Sequence, residues 1–231
     1  TAGDIIIKPD WIRMSINREI EIEDKPIISA DIARFGDDEI VIQYGKGYRL
    51  IEQDVTIKRS LMETVGRIIT MRKKYNAILL VIDDAALGGG VTDRLREQKE
   101  KVLAINGGMQ AIHKDRFVNL KSEMWFYAAE LFKNGKVSII NDPVLIRQLG
   151  AVKYIYRSNG SIMVEPKREV KKRLSRSPDR AEAFIQLLWA ARSIRDKAKD
   201  FMRRPNYLAN SSQYQNGYGW DNTPIGAPVY A

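Results

Sequence analysis

Six apolar residues in succession, Ala77 to Ile82, run directly into Asp83-Asp84. A run without polar alternation describes a strand covered on both faces, as in the parallel part of an α/β sheet. Its neighbours fit that setting. Ser60 followed by Glu63 forms a capping box, and Leu61, Val65, Ile68, Ile69 and Met71 recur at helical spacing up to Tyr75, which predicts a helix leading into the strand. After Asp84 come Gly88-Gly89-Gly90, a short amphipathic turn through Val91 and Leu95, and a second short strand, Val102 to Ile105. Strand, helix and strand in this order predict a parallel pair.

Upstream, three strand-like segments follow one another: Ile27 to Ala33, Glu39 to Tyr44 and Tyr48 to Val55, the last two joined by Gly45-Lys46-Gly47. The expected fold class is therefore α/β, a mixed sheet of three antiparallel strands followed by parallel strands and flanked by helices. Further helices are predicted over Leu120 to Leu131, from Asp142-Pro143 through Leu149, and from Ser177-Pro178-Asp179 onward, where Ser caps and Pro takes the first helical position. Val137 to Ile140 reads as one more strand. Val152 to Tyr156 and Ser161 to Val164 read as a hairpin around Ser158-Asn159-Gly160. Residues 1–24 are expected to be a linker or extension, cut from something longer, residues 25–199 a single domain, and residues 200–231 a mobile tail or docking arm poor in aliphatic residues.

The composition narrows the chemistry. In 231 residues, 38 Lys and Arg stand against 29 Asp and Glu, so the net charge of +9 favours a polyanionic partner, with nucleic acid ahead of an anionic membrane surface. There is no cysteine and one histidine, His113, which excludes thiolate and His-rich metal sites and leaves oxygen ligands suited to magnesium or manganese. No phosphate loop of the Gly-x-x-x-x-Gly-Lys-Ser/Thr type occurs, so no nucleotide cofactor is expected, and no apolar run approaches a membrane span.

Asp31 lies inside an apolar strand, where an unpaired charge is costly. Alone it reads as a salt-bridge or turn-capping residue. Asp83 at the end of its strand and Asp179 at the start of the last helix could meet it at one end of the sheet. Converging carboxylates share protons or hold cations, and two divalent ions held together would support phosphodiester hydrolysis. The other acids have plainer readings: Asp37 and Asp38 as turn residues, and Asp84 as a rival of Asp83 whose side chain points to the other face. The Gly88 to Gly90 run fits either a phosphate cradle or close packing, His113 a loop, and Trp125 and Trp189 the core. Lys121 and the basic cluster Lys167, Arg168, Lys171, Lys172, Arg173 and Arg176 are solvated groups or contacts to a phosphate backbone.

Several segments together resemble the nuclease domain of the large terminase subunit of tailed bacteriophages. They are Asp31-Ile32-Ala33-Arg34 with Gly36-Asp37-Asp38, Val81-Ile82-Asp83-Asp84 with Gly88 to Leu95, Phe117 to Trp125, and Ser177-Pro178-Asp179-Arg180-Ala181-Glu182-Ala183. The resemblance runs from about Lys25 to Arg195. It implies a ribonuclease H-like fold and a metal-dependent endonuclease cutting concatemeric double-stranded viral DNA in the host cytoplasm. By it, Asp31 bridges two ions, Mg2+ or Mn2+, and Asp83 and Asp179 complete the two coordination spheres. Glu182 stands where the family often has a second Asp, as an auxiliary ligand or outer-shell base. The implied partners are DNA, an N-terminal ATPase domain, a portal protein and a small terminase subunit, with no membrane. Two other classes compete: a non-catalytic basic DNA-binding or docking module, and a fragment of an actin-like or sugar-kinase-type ATPase, which would need a second half and paired Gly-rich phosphate turns.

Overall fold

The structure is a computed structural model that describes residues 4–22, 24–32, 38–83 and 88–203, with side chains described up to Arg192 except at Gly88 and Gly89. Asp84, Asp37 and the tail beyond Arg203 lie outside the described residues. Strands β1 (Pro26–Asp31), β2 (Ile40–Lys46), β3 (Arg49–Thr56), β4 (Leu79–Asp83) and β5 (Val102–Ile105) form one sheet in the order β3-β2-β1-β4-β5. The first three are antiparallel, while β1, β4 and β5 run parallel. This is the mixed sheet expected from the strand pattern.

Period two along β1 and β4 sorts their side chains onto two faces. Ile28, Ala30, Leu80 and Ile82 meet α2 (Leu61–Tyr75) and α3 (Gly88–Glu97) through Val65, Ile68, Val91 and Leu95. Ile27, Leu79 and Val81 face the other layer, built from α4 (Leu120–Lys133), α5 (Pro143–Leu149) and α7 (Asp179–Arg203). Trp125 and Trp189 sit in this second core, both almost fully buried. The capping box at Ser60 and Glu63 is formed in both directions. Where β2 turns into β3, a Cβ on Gly45 would lie 2.6 Å from the carbonyl oxygen of Arg49 and 3.0 Å from Leu187, so the bulge there leaves room for no side chain. Gly90 likewise packs against Leu61, where a Cβ would come within 2.8 Å.

Three segments differ from their sequence-based description. The stretch expected as a linker or extension carries α1 (Pro9–Ser15) and buries Ile6, Ile7 and Ile12 in the core; the Ile6 N–H donates to Val152 O at 3.0 Å. Val137 to Ile140 is not a strand. Ser138 and Ile139 form isolated bridges to Arg49 and Ile16, one residue each, because the two flanking chains touch it only at their ends. The basic stretch after the hairpin of β6 (Tyr154–Tyr156) and β7 (Ile162–Val164) is a helix, α6 (Lys167–Leu174), in which Val170 is buried and Leu174 packs at the core's margin. Two apolar residues in eight give a helical period too faint to see among so many charges.

Candidate metal centre

Ser29 and Asp31 extend the Ile27 face of β1, and Asp83 extends the Leu79 and Val81 face of β4. Parallel pairing of Ala30 with Ile82 then brings Asp31 and Asp83 side by side at the C-terminal edge of the two strands. Helix α7 starts over that edge. It is held there by Ser29 Oγ, which donates to Ala183 O at 2.8 Å, and by Gln43 Nε2, which donates to Arg180 O at 2.9 Å. The outcome is a trio. Oxygens of Asp31, Asp83 and Glu182 all lie within 4.8 Å of one another.

Asp179 is not in that trio. Its carboxylate, 2 % exposed, accepts the Glu39 N–H at 3.0 Å and pairs with Lys167 Nζ at 2.9 Å. Lys167 Nζ also stands 3.9 Å from Asp31 Oδ2, so it links Asp179 to the trio. From the opposite side Lys121 Nζ meets Glu182 Oε1 at 2.5 Å. The trio and the two lysines, with Gly107, Gly108, Trp125 and Gln186, line a cavity of about 240 Å3, and Asp179 is not among its lining residues. Gly107 comes so near Lys121 that a Cβ would lie 3.1 Å from the lysine's own Cβ.

The charges are unequally held. Burial, joined by repulsion from Asp179, Asp83 and Glu182, pushes Asp31 well above the ordinary carboxylate range against the pull of Lys167. Burial also raises Asp179, partly countered by Lys167. Burial would raise Glu182 as well, but Lys121 and Lys167 outweigh it and hold that carboxyl below its usual range. Lys167 itself, despite its own desolvation, is raised by Asp31, Glu182 and Asp179 and stays charged. Asp31 Oδ2 is buried with no hydrogen-bond partner, and so is Gln186 Oε1. An unmet buried oxygen costs about 1–3 kcal/mol. Three carboxylates that converge and repel, one of them with an oxygen that no donor meets, make a hard-oxygen set that fits a divalent cation such as Mg2+ or Mn2+.

The other basic residues lie away from the cavity. Lys171 pairs with Asp38 at 2.6 Å, Lys172 and Arg168 with Glu169 at 3.2 Å, and Arg176 with Glu39 at 3.2 Å. Arg173 forks onto Glu165 and donates to Ala151 O. His113 Nδ1 lies 2.6 Å from Glu123 Oε1, in a separate recess. A larger cleft, about 710 Å3, opens between β3 and α2. Its acids are already met, Asp54 by Arg67 at 2.8 Å and Glu52 by Lys74 at 2.8 Å, so nothing unsatisfied converges there. Gln186 and Gly107 are cavity residues that sequence reasoning did not single out. The signal for Gln186 was its position one helical turn beyond Glu182.

A mixed sheet in this order, with helices packed on both faces, is the ribonuclease H-like fold. More narrowly, the fold is that of the nuclease domain of phage large terminase subunits. The nuclease domain of the large terminase subunit gp2 of bacterial virus Sf6 superposes with a TM-score of 0.72 at 15% identity, over 80% of this chain and 98% of that one. A variant of that domain solved with manganese gives 0.70 at 15% identity, covering 80% and 99%. The large terminase nuclease of thermophilic phage G20c with bound magnesium gives 0.56 at 15% identity, covering 80% and 98%. No protein-family model matches the sequence, and no curated protein is similar to it.

Proposed function

We propose that this chain is a metal-dependent DNA endonuclease domain of a viral packaging terminase, cutting concatemeric double-stranded DNA by two-metal phosphodiester hydrolysis. The observation that carries the reading is the trio Asp31, Asp83 and Glu182 with its unmet Asp31 oxygen. Asp31 belongs to the trio and shares Lys167 with Asp179, which supports a role for it as the carboxylate that would serve both ions. Asp83 and Glu182 would complete one set of ligands and Asp179 the other. Divalent cations bound there supply Lewis acidity, lowering the pKa of an attacking water and offsetting charge on the leaving oxygen. The chain's own part is to hold the acids in register on two strands and one helix. Lys121 and Lys167 balance their charge until cations arrive, and can then turn to phosphate. Helix α6 supplies further backbone-phosphate contacts through Arg168, Lys171 and Lys172, with little sequence preference.

The partners suggested by this reading are an ATPase domain preceding the nuclease, a portal protein and a small terminase subunit, in the host cytoplasm. Among the described residues no helix is long and apolar enough to cross a membrane. Plasmid cleavage with Mg2+ or Mn2+ tests the assignment. Asp31→Ala, Asp83→Ala and Glu182→Ala are expected to lose at least about a hundredfold in rate, as for loss of a group acting on developing charge. Asp179→Ala should lose activity too, with a weaker effect on binding of the first ion. Cleavage by Asp31→Ala at the wild-type rate would refute the site.

A further inference from the structure

Gln186 stands one turn beyond Glu182 on the face of α7 that borders the carboxylate cavity. It is 4 % exposed, and its amide oxygen has no hydrogen-bond partner. Its neighbours Ile185, Leu187 and Leu188 are buried and apolar, so an aliphatic side chain would be the simpler occupant of this position. Among the residues lining the same cavity, Asp31 has the other oxygen without a donor, Oδ2. Two orphaned oxygens from separate elements, one on β1 and one on α7, border one space already flanked by Asp83 and Glu182. A single water could donate to both, but a cation would satisfy both and also offset the charge of the acids beside them.

From this we infer that Gln186 lends its amide oxygen to the cation held by Asp31, Asp83 and Glu182, as a neutral fourth donor. Hard divalent ions accept amide carbonyl oxygens alongside carboxylates. A neutral donor has a particular merit here: it completes coordination without adding charge to acids that already repel one another. The inference rests on the metal-site reading given above.

Mn2+ binding to the 231-residue chain, followed by calorimetry and by the electron paramagnetic resonance of free Mn2+, tests it without any cleavage assay. Gln186→Leu is expected to weaken Mn2+ binding about tenfold or more, the scale found for groups supporting a metal site. In EDTA it should melt no lower than wild type, since it removes an unmet buried oxygen. Gln186→Glu should bind Mn2+ at least as tightly as wild type and melt lower in EDTA, because a carboxylate keeps the oxygen and adds charge. Asp31→Asn is the control on the site itself. If Asp31→Asn loses Mn2+ while Gln186→Leu binds it like wild type, the role of Gln186 is refuted and the site stands. If Asp31→Asn also binds normally, the site is refuted and the inference falls with it. Should Gln186→Leu fail to fold, Gln186→Glu still decides: weaker Mn2+ binding in that variant overturns the donor role.

Discussion

Asp31 is destabilising to the folded chain in the absence of cations. Its folded pKa is raised by burial and by three acidic neighbours, so the native state holds a proton that the unfolded state releases. Stability contributed this way is full below the ordinary Asp pKa, about 3.9, and is lost as pH rises through the folded value. Glu182 has the opposite sign. Its folded pKa is lowered by the lysines against its burial, so its contribution is present above the unfolded value and lost as pH falls through the folded one. The difference between wild type and Asp31→Asn isolates the first effect. In EDTA, Asp31→Asn should be the more stable protein at neutral pH, by about 0.5–2 kcal/mol, the scale of single stabilising substitutions, with the gap closing toward acid. Urea melts between about pH 5 and about pH 8 measure it. A gap that widened toward acid would contradict the assigned sign. Much of this site was legible in the chain: period two alone puts Asp31 and Asp83 on one face once β1 and β4 are paired. The choice between Asp179 and Glu182 was not. They share a helix face, and only the rotation of α7 against the sheet brings Glu182 to the trio and turns Asp179 to Lys167.

That rotation is set by a few polar contacts between α7 and the strands beneath it. Ser29 Oγ to Ala183 O is the most buried of them. Ser29→Ala should cost about 1 kcal/mol, the usual net worth of such a bond, and should also weaken Mn2+ binding, although Ser29 touches none of the carboxylates. Ser60→Ala is the matched comparison. It removes the α2 cap, whose loss costs about 1 kcal/mol, on the sheet face away from the acids, and Mn2+ affinity should not change. Equal Mn2+ affinities in the two variants would mean that helix placement is fixed by apolar packing alone. The elements that sequence patterns described well were those with a long period or a strong cap, α2 and α4 above all. Those they described poorly, α1, α6 and the 137–140 segment, owe their form to what lies beside them: Val152, the Val170 pocket, and the ends of two passing chains.

At the scale of the molecule, a net charge of +9 favours a polyanion, but all five cations of α6 already have acidic partners. The exposed ones are cheap to release, since solvated pairs are worth about 0–1 kcal/mol. Lys171→Ala with Lys172→Ala should therefore reduce DNA affinity and flatten its dependence on salt, by roughly one unit of slope for each phosphate no longer neutralised, leaving the melting temperature nearly unchanged. Arg173→Ala should do the reverse, melting lower through loss of its fork onto the buried Glu165 while moving the salt slope less. Fluorescence anisotropy across a salt series separates them. An unchanged slope in the double lysine variant would remove α6 from the DNA path. Charge counting along the chain could not distinguish Arg173 from its neighbours, because the distinction lies in the hairpin residue it grips.

Lys121 and Lys167 give the acidic centre its own resident counterions. Many small metal-binding domains unravel when their ion is withdrawn, because the ligands then have nothing to hold them together. Here the lysines stand in for that missing charge, so architecture and chemistry are decoupled: the acids have counterions without any metal, and on the function proposed above divalent ions would be needed for cutting rather than for folding.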